Sequence, residues 1–363
     1  MSRHALRLLI SGYYGAGNLG DEALLAGLLA ALHDAPVTPV VASLDPRATA
    51  RDHGVAAVDR WRGLPLAVMR SDVVLSGGGG LLQDVTSARS LDYYLSVLRL
   101  ARLLRKPAVV FAQSLGPLSD AGEHRVKRVL RGIPLGLRDQ PSLELAARLG
   151  LPARSVADTA LLLPPCGPAA GDAAEADGPT VRGVGPADDA LVLVPRAGYP
   201  AVCNVLRELG RRHLDAGGRL RIVLLHPAAD EPEGRRLHAR LPGAELVVPT
   251  TVAAARSALR GAHAIVSGRL HGMVFGATCG VPVAGLAYDP KVAGFGTEVG
   301  APVVPVPSGG EDGSREAAVA ALTRFAADPR LDVEAVEQLT ARARSGVRWL
   351  LDEVLHVGSS NAP

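Results

Sequence analysis

The chain has 363 residues, of which 48% are hydrophobic, and its 39 basic and 36 acidic side chains leave a formal net charge of +3. This length is typical of two domains. The nearly balanced charge, without a basic block interleaved with aromatic residues, argues against nucleic-acid binding. No apolar run approaches the ~18 residues of a membrane span, and no leader-like segment precedes the first predicted strand.

The three cysteines, Cys166, Cys203 and Cys279, are far apart and follow no metal-ligand spacing. They predict neither a disulfide framework nor a zinc site. No metal site is predicted elsewhere, and the cysteine pattern fits a cytoplasmic protein.

Short apolar runs alternate with helical patterns along the chain. In the first half, strands are predicted at 6–10, 37–42, 72–75, 108–112 and 133–137, and helices at 21–32, 90–105, 119–131 and 142–149. In the second half, strands are predicted at 191–194, 221–225, 245–248, 264–266, 283–286 and 303–306, followed by helices at 316–327 and 333–355. This alternation is typical of parallel sheets with helices on both faces.

A tract rich in Pro, Gly, Ala and Asp over 164–179 interrupts the alternation and predicts a linker. The predicted division is an N-terminal Rossmann-like domain over 1–165, a linker or mobile loop over 166–189, and a C-terminal Rossmann-like domain with the terminal helices over 190–357. A frayed tail over 358–363 is expected after them. The residues alone predict two α/β domains.

Glycines follow the first predicted strand in a pattern that resembles a dinucleotide-binding fingerprint. Gly15–Gly20 reads G-x-G-x-x-G, and Asp45 closes the second strand. Two features argue against a nicotinamide or flavin cofactor. Gly12–Tyr14 separate the predicted strand from the first glycine, and Asp21 and Glu22 would repel a pyrophosphate at the helix N-terminus.

Polar and aromatic side chains of the same loop suit a sugar instead. Tyr13, Tyr14 and Asn18 offer rings and an amide for a sugar face and its hydroxyls. Four further glycines, Gly77–Gly80, follow the third strand and permit close backbone approach to a polar ligand. No P-loop motif is present in the sequence.

Cationic side chains follow several strands, at the edge where open α/β sheets bind ligands. Arg138 and Arg196 each end a strand, Arg269 and His271 lie on a strand-to-helix turn after Ser267-Gly268, and Lys291 follows a strand. Each cation alone is most simply a solvated surface group. Together they would focus a positive potential on an anionic ligand.

Four motifs, in this order, resemble the polysaccharide pyruvyl transferase family, in particular its CsaB-type bacterial cell-wall members. The four motifs are Ser11–Ala23, Ser76–Asp84, Gln113–Pro117 and Ser267–Gly272. The resemblance covers about residues 6 to 300 and implies two facing doubly wound Rossmann-like domains, a GT-B-like α/β fold. It also implies transfer of a pyruvyl group from phosphoenolpyruvate to a sugar of a cell-wall polysaccharide precursor, with release of phosphate.

The resemblance and the residue chemistry together assign the expected site. Donor-binding residues are Arg138, Arg196, Arg269, Lys291, Ser267 and Gly268; catalytic residues are His271 and Asp21; acceptor-binding residues are Tyr13, Tyr14, Asn18, Gly78, Gly79 and Gln83. Phosphoenolpyruvate is expected as a substrate without any cofactor. The family implies a lipid-linked acceptor, and hence peripheral contact with the inner face of the membrane.

Two other functions remain open from the residues. One is a GT-B glycosyltransferase that uses a nucleotide sugar; against it, Asp289 is followed by Lys291 where such enzymes carry a glutamate for the ribose. The other is a non-catalytic sugar-phosphate-binding protein on the same fold, because binding and catalytic arginines look alike in sequence.

Overall fold

The computed structural model describes residues 5–85, 87–164, 166, 188–306 and 312–357. The chain divides into two compact units, one of Met1–Leu163 with Leu339–Pro363 and the other of Pro164–Gln338. Nearly all of the predicted linker, and the whole predicted tail over 358–363, lie outside the described residues.

The first unit is built on a parallel sheet with helices between its strands. Its elements are β1 (Leu6–Tyr14), α1 (Leu19–Leu32), β2 (Val37–Ser43), α2 (Pro46–His53), β3 (Ala56–Asp59), α3 (Leu64–Arg70), β4 (Val73–Ser76), β5 (Gly79–Leu82), α4 (Ala88–Leu103), β6 (Ala108–Leu115), α5 (Asp120–Leu130), β7 (Leu135–Leu137), α6 (Gln140–Arg148), β8 (Arg154–Ser155) and a 3₁₀ turn at Thr159–Leu162. The strand order is β3-β2-β1-β4-β6-β7-β8, and β5 pairs with β6.

The sheet of the first unit changes direction between β1 and β4. From β1 the chain proceeds to β2 and β3 on one side, and then crosses over to β4 and β6 on the other. Loops at the carboxyl ends of two such strands diverge and leave a crevice, which is where open α/β sheets bind ligands. The Gly15–Asn18 loop follows β1 and the Gly77–Gly78 turn follows β4, so both predicted sugar-binding motifs lie at this point.

The second unit repeats this plan. Its elements are β9 (Asp188–Val194), α7 (Pro200–Asp215), β10 (Leu220–Val223), α8 (Pro227–Ala239), β11 (Glu245–Val247), α9 (Val252–Leu259), β12 (Ala262–Ser267), α10 (Leu270–Thr278), β13 (Val283–Ala287), α11 (Pro290–Glu298), β14 (Val303–Pro305), α12 (Asp312–Ala327) and α13 (Val333–Trp349). The strands are parallel in the order β11-β10-β9-β12-β13-β14, so the direction changes between β9 and β12.

Buried aliphatic residues of the central strands form the core of each unit. Leu8–Ile10 in β1 and Leu191–Val194 in β9 are completely buried. Such unbroken apolar runs are expected where helices cover both faces of a sheet. The doubly wound α/β architecture predicted for both halves is therefore confirmed.

The last helix crosses from one unit to the other, which corrects its predicted place in the C-terminal domain. α13 begins in the second unit, but residues from Leu339 onward belong to the first. The helix continues as a short π-helical turn over Leu350–Val354, where Leu350 is completely buried. The Trp349 ring stacks on Phe111 of β6 at 6.4 Å between centroids, so apolar burial holds this end of the chain on the first sheet.

Several short elements were absent from the sequence prediction. α2, β3 and α3 lie in a stretch that was not assigned, and β5 follows the glycines after β4. β3 is only half-buried on average, and α2 buries Thr49 alone, so neither produces an apolar period. Pairing with β2 decides the structure of β3, and pairing with β6 decides that of β5.

The structure corrects the cysteine prediction, because it pairs Cys166 with Cys279 in a disulfide bond within the second unit. Their separation of 113 residues in sequence gave no signal of this pairing. Cys203 remains a buried free thiol. Among the described residues, no helix combines the length and the apolar character that a membrane crossing requires.

Candidate functional site

In the second unit, the ends of β9 and β12 lie against each other at the point where the sheet changes direction. The Gly268 N–H donates to the Val194 carbonyl at 2.8 Å. A Cβ at Gly268 would lie 2.5 Å from Val202 Cγ1 and 3.4 Å from Arg196 Cβ, so only glycine permits this approach. The turn from Ser267 to Arg269 is thereby held beside Arg196.

Arg269 is held by a buried carboxylate. Its Nε and Nη2 donate to the two carboxylate oxygens of Asp230, each at 2.5 Å. Asp230 is completely buried and Arg269 is 7% exposed. Asp230 also accepts the Ala197 N–H at 3.0 Å, so one carboxylate joins the β9 loop to the β12 turn. This bidentate pair leaves Nη1 as the guanidinium nitrogen outside it.

Arg196 is held differently, since it forms no ion pair with any carboxylate among the described residues. Its guanidinium carbon lies 5.5 Å from the centre of the Tyr199 ring and 5.4 Å from that of Tyr288. Its Nε is buried and has no hydrogen-bond partner among the described residues. Cation–π contacts thus orient Arg196 but do not neutralise its charge.

The two tyrosines beside Arg196 pack against each other, with ring centroids 4.2 Å apart. Burial raises the pKa of Tyr288 to about 12, although the Arg196 cation opposes this shift. Tyr288 therefore remains a neutral hydroxyl at physiological pH.

His271 and Lys291 lie in the first turns of α10 and α11, which follow the neighbouring strands β12 and β13. His271 is half-buried, and its ring centroid lies 6.2 Å from that of Phe275. Lys291 Nζ lies 2.9 Å from the Asp289 carboxylate, and both side chains are about 30% exposed. Such a partly solvated pair leaves the lysine available to an anion.

The second unit thus assembles five of the six predicted donor residues at one sheet edge, together with the predicted catalytic residue His271; the five are Arg196, Ser267, Gly268, Arg269 and Lys291. The N-terminus of α10 adds its partial positive charge there. This arrangement suits a small ligand with two acidic groups, and the imidazole can exchange a proton with it.

Arg138 lies in the first unit, directly after β7, where it is hydrogen-bonded to other side chains of that unit. Its Nη1 donates to Asp158 at 2.7 Å and its Nε to Ser114 at 2.9 Å. The side chains of Arg138 and Asp158 are 5% and 6% exposed. Asp158 also accepts the Ala160 N–H, which begins the 3₁₀ turn. The pair therefore joins the end of β7 to the start of the 3₁₀ turn. This structural role is additional to the donor binding predicted for Arg138.

At the edge of the first sheet, the predicted sugar loop is tied to α1. Asn18 caps the helix by accepting the Gly20 N–H, and its amide donates to Asp21. Asp21 is 8% exposed, and a Cβ at Gly79 would lie 3.0 Å from its Oδ1. The structure therefore brings Asn18, Asp21 and Gly79 together.

Glu22 fixes the conformation of this loop. One of its oxygens accepts the Gly15 N–H at 2.8 Å, and the other lies 2.9 Å from His53 Nε2. Both side chains are largely buried. Gly15 has φ +73°, and a Cβ there would collide with Ser43 Oγ, so glycine is required at the turn.

The remaining predicted acceptor residues differ in accessibility. Tyr14 is completely buried, which corrects the expectation that its ring faces a sugar. Tyr14 is the last residue of β1, and its ring lies in the apolar core. Burial raises its pKa, and the Asp21 and Glu22 carboxylates raise it further. Tyr13 and Gln83 are half-buried, whereas Gly78 is buried against Leu24.

The structure also changes the argument about the dinucleotide fingerprint. β1 continues to Tyr14, so Gly15 follows the strand directly and the expected separation was wrong. However, the Gly15 N–H is already bound by Glu22, and Asp45 caps α2 by accepting the Ala48 N–H at 3.0 Å. The groups that would bind a pyrophosphate and a ribose are thus used within the protein.

Sequence reasoning missed residues that act through distant partners. These are Asp158, Asp230 and His53, together with the tyrosines Tyr199 and Tyr288. Arg138 and Asp158 are 20 residues apart, and Arg269 and Asp230 are 39 apart. No local spacing signals such pairs. Among the described residues, no three His, Cys, Asp or Glu side chains are grouped so that they could hold a metal ion.

Comparison with known proteins gives one family and one fold. The family model described as polysaccharide pyruvyl transferase matches residues 18–290. None of the curated protein sequences matches the chain significantly.

Several solved structures share the fold of this chain at low sequence identity. A UDP-GlcNAc 2-epimerase from Methanocaldococcus jannaschii, solved with UDP-GlcNAc and UDP, has a TM-score of 0.60 and 12% identity over 93% of this chain and 99% of that one. A UDP-N-acetylglucosamine 2-epimerase from Rickettsia bellii has a TM-score of 0.58 and 11% identity over 98% and 99%. A glycosyltransferase from Rickettsia africae has a TM-score of 0.55 and 10% identity over 99% and 100%. These likenesses support the GT-B-like α/β fold with two Rossmann-like units.

Proposed function

Because the chain belongs to the polysaccharide pyruvyl transferase family, we propose that it transfers a pyruvyl group from phosphoenolpyruvate to two hydroxyls of one sugar. The products are a pyruvate ketal and inorganic phosphate. The observation that carries this proposal is Arg196, at the edge of the second sheet beside Arg269 and His271. Its Nε is buried, and its guanidinium has no carboxylate partner among the described residues.

The chemistry requires both proton transfer and charge stabilisation. A proton adds to C3 of the enol, which leaves an oxocarbenium-like cation at C2, and the first sugar hydroxyl adds there and loses its proton. The C2–O bond to phosphate then breaks, and the second hydroxyl adds to C2 and loses its proton. One proton remains on the new methyl group and the other leaves with phosphate, so the reaction balances without a cofactor.

The donor carries a phosphate and a carboxylate, and the second unit offers cations for both. Arg196 has no carboxylate partner in the described residues, and Arg269 keeps Nη1 outside its pair with Asp230. Lys291, one strand further along, contributes a partly solvated ammonium group. In this proposal His271 gives or accepts the proton in transfer to C3 or to the leaving phosphate.

The acceptor sugar is assigned to the first unit. Asn18 and Asp21 present polar atoms beside the close backbone approach at Gly79, and Asp21 would accept a proton from a hydroxyl. Tyr13, the penultimate residue of β1, is half-buried and replaces Tyr14 as the ring for the sugar face. The proposed acceptor is a lipid-linked cell-wall polysaccharide precursor of the CsaB-type reaction, at the inner face of the membrane.

Phosphate release tests the reaction directly. Purified protein is incubated with phosphoenolpyruvate and a panel of hexoses, acetamido sugars and their lipid-linked forms, and the ketal is detected by mass spectrometry. Arg196→Gln is expected to raise the KM for phosphoenolpyruvate at least ~10-fold, because it removes a charge-assisted contact. Arg330→Gln is the matched control, because Arg330 is 83% exposed on the second unit.

Two results would contradict the proposal. Turnover of a nucleotide sugar without any turnover of phosphoenolpyruvate would identify a glycosyltransferase. Saturable binding of phosphoenolpyruvate without transfer to any acceptor of the panel would identify a binding protein.

A further inference from the structure

In the first unit, Arg60 is buried and has no acidic partner among the described residues. Arg60 follows β3 at the carboxyl edge of the sheet and is 7% exposed. Its N–H donates to the Ser43 carbonyl, and its own carbonyl accepts the Tyr93 hydroxyl at 3.2 Å, so both sides of its backbone are fixed. The residue is therefore rigidly placed at this edge.

Aromatic rings surround the Arg60 guanidinium. Its central carbon lies 3.9 Å from the centre of the Tyr93 ring, 5.1 Å from that of Trp61 and 5.8 Å from that of Tyr94. Burial raises the pKa of Tyr93 while the Arg60 cation opposes the rise. The tyrosine hydroxyls are thus neutral, and they do not balance the charge.

No carboxylate pairs with Arg60 in the part of the chain that the structure describes, and its Nε is buried without a hydrogen-bond partner there. Asp59 lies next to it in sequence, but that carboxylate accepts the backbone N–H groups of Trp61 and Arg62. A buried cation without a counter-ion is costly, and cation–π contacts offset only part of that cost. An anionic ligand would supply the missing charge.

Two more buried polar atoms near the same edge lack hydrogen-bond partners among the described residues: the Tyr14 hydroxyl and Gln113 Oε1. The Gln113 amide donates to the Gly77 carbonyl, and a Cβ at Gly77 would collide with the Tyr14 hydroxyl, so both lie around this turn. Tyr94 lies on the Arg60 side of this edge, since its ring stands 5.0 Å from that of Tyr93 and 5.8 Å from the Arg60 guanidinium carbon. Buried polar atoms without partners are rare in folded proteins, and a bound ion or ligand is one way in which they are satisfied.

Trp61 offers a surface for a sugar beside this cation. Its side chain is 61% exposed, although its ring packs edge-on against Tyr93 at 4.7 Å. An exposed indole held in a fixed orientation suits the apolar face of a pyranose ring. A sugar resting on Trp61 would bring a substituent to Arg60.

We propose that Arg60 and Trp61 form an anion subsite of the first unit, which binds an acidic substituent, phosphoryl or carboxyl, of the acceptor sugar. The assignment of this ligand as the acceptor rests on the proposed function. The binding of an acidic sugar at Arg60 does not, and it is measurable without phosphoenolpyruvate.

Calorimetric titration of the full chain tests the subsite. The probes are inorganic phosphate, N-acetylglucosamine, N-acetylglucosamine 1-phosphate and glucuronic acid. At least one acidic sugar is expected to bind ~10-fold more tightly than the neutral sugar, and Arg60→Gln is expected to abolish that advantage. Arg62→Gln, an equal change of charge at an exposed position two residues away, is expected to alter affinity less than ~2-fold.

The comparison of probes and variants decides the proposal. It is overturned if the acidic sugars bind no better than the neutral one, or if Arg60→Gln binds them as the unaltered protein does. If Arg60→Gln does not fold, Arg60→Lys retains a cation but not the planar guanidinium, and a ~3-fold or greater loss is then expected relative to Arg62→Lys. Retained affinity in Arg60→Lys would overturn the proposal in that case.

Two results separate this proposal from the proposed function. Binding of an acidic sugar that depends on Arg60, without any turnover of phosphoenolpyruvate, would support the subsite and reject the reaction. Pyruvyl transfer to an acidic sugar, with the same kcat and KM in Arg60→Gln and the unaltered protein, would support the reaction and reject the subsite.

Discussion

Replacing Arg269 by methionine should destabilise the second unit, because it leaves the completely buried carboxylate of Asp230 without its cation. Among the described residues, the Ala197 N–H alone then remains bound to that carboxylate. Removing one partner of a buried ion pair costs about 3–5 kcal/mol. Since 1 kcal/mol shifts the melting temperature of a unit of this size by ~2–4 °C, the transition of the second unit should fall by ~6–20 °C.

Differential scanning calorimetry of the full chain measures this shift, with two variants for comparison. Arg235→Met removes an exposed arginine that pairs with Glu231 on α8, and it should cost less than ~0.5 kcal/mol. The double variant Arg269→Met with Asp230→Leu removes both buried charges and should recover most of the lost stability.

Two outcomes would refute this reasoning. If Arg269→Met melts as Arg235→Met does, Asp230 does not depend on its buried partner. If the double variant is as unstable as Arg269→Met, the loss comes from packing and not from an uncompensated charge.

Three further predictions concern catalysis, the first loop and a thiol. His271→Ala should lower kcat for phosphate release ~100-fold without a change in melting temperature, whereas His263→Ala, at an exposed position on β12, should match the unaltered protein. Glu22→Leu should raise the acceptor KM and leave the KM for phosphoenolpyruvate unchanged, because it removes the oxygen that accepts the Gly15 N–H; an equal rise in both would reject this role. Burial raises the pKa of Cys203 to about 12, so only ~1 in 10⁴ thiols is ionised at pH 8. Mass spectrometry should find it unmodified by iodoacetamide until the protein is unfolded, and rapid labelling of the native protein would contradict its burial.

The strand pattern by itself determined the sheets and the edge at which ligand-binding residues lie. Uninterrupted apolar runs such as Leu191–Val194 are buried whichever partners they have, so their place at the centre of a sheet follows from local composition. A residue that directly follows such a run lies at the carboxyl edge. Arg196, Arg269 and His271 could therefore be placed at this edge from the sequence.

Only the tertiary structure decided which of these side chains are neutralised and which are buried. Asp230 meets Arg269 because α8 and the β12 turn converge, and Asp158 meets Arg138 for the same reason on the first sheet. Tyr14 ends in the core because β1 extends four residues beyond its apolar run. Such contacts depend on how crossing segments are arranged in space, whereas hydrophobic periodicity reports only the segment in which it occurs.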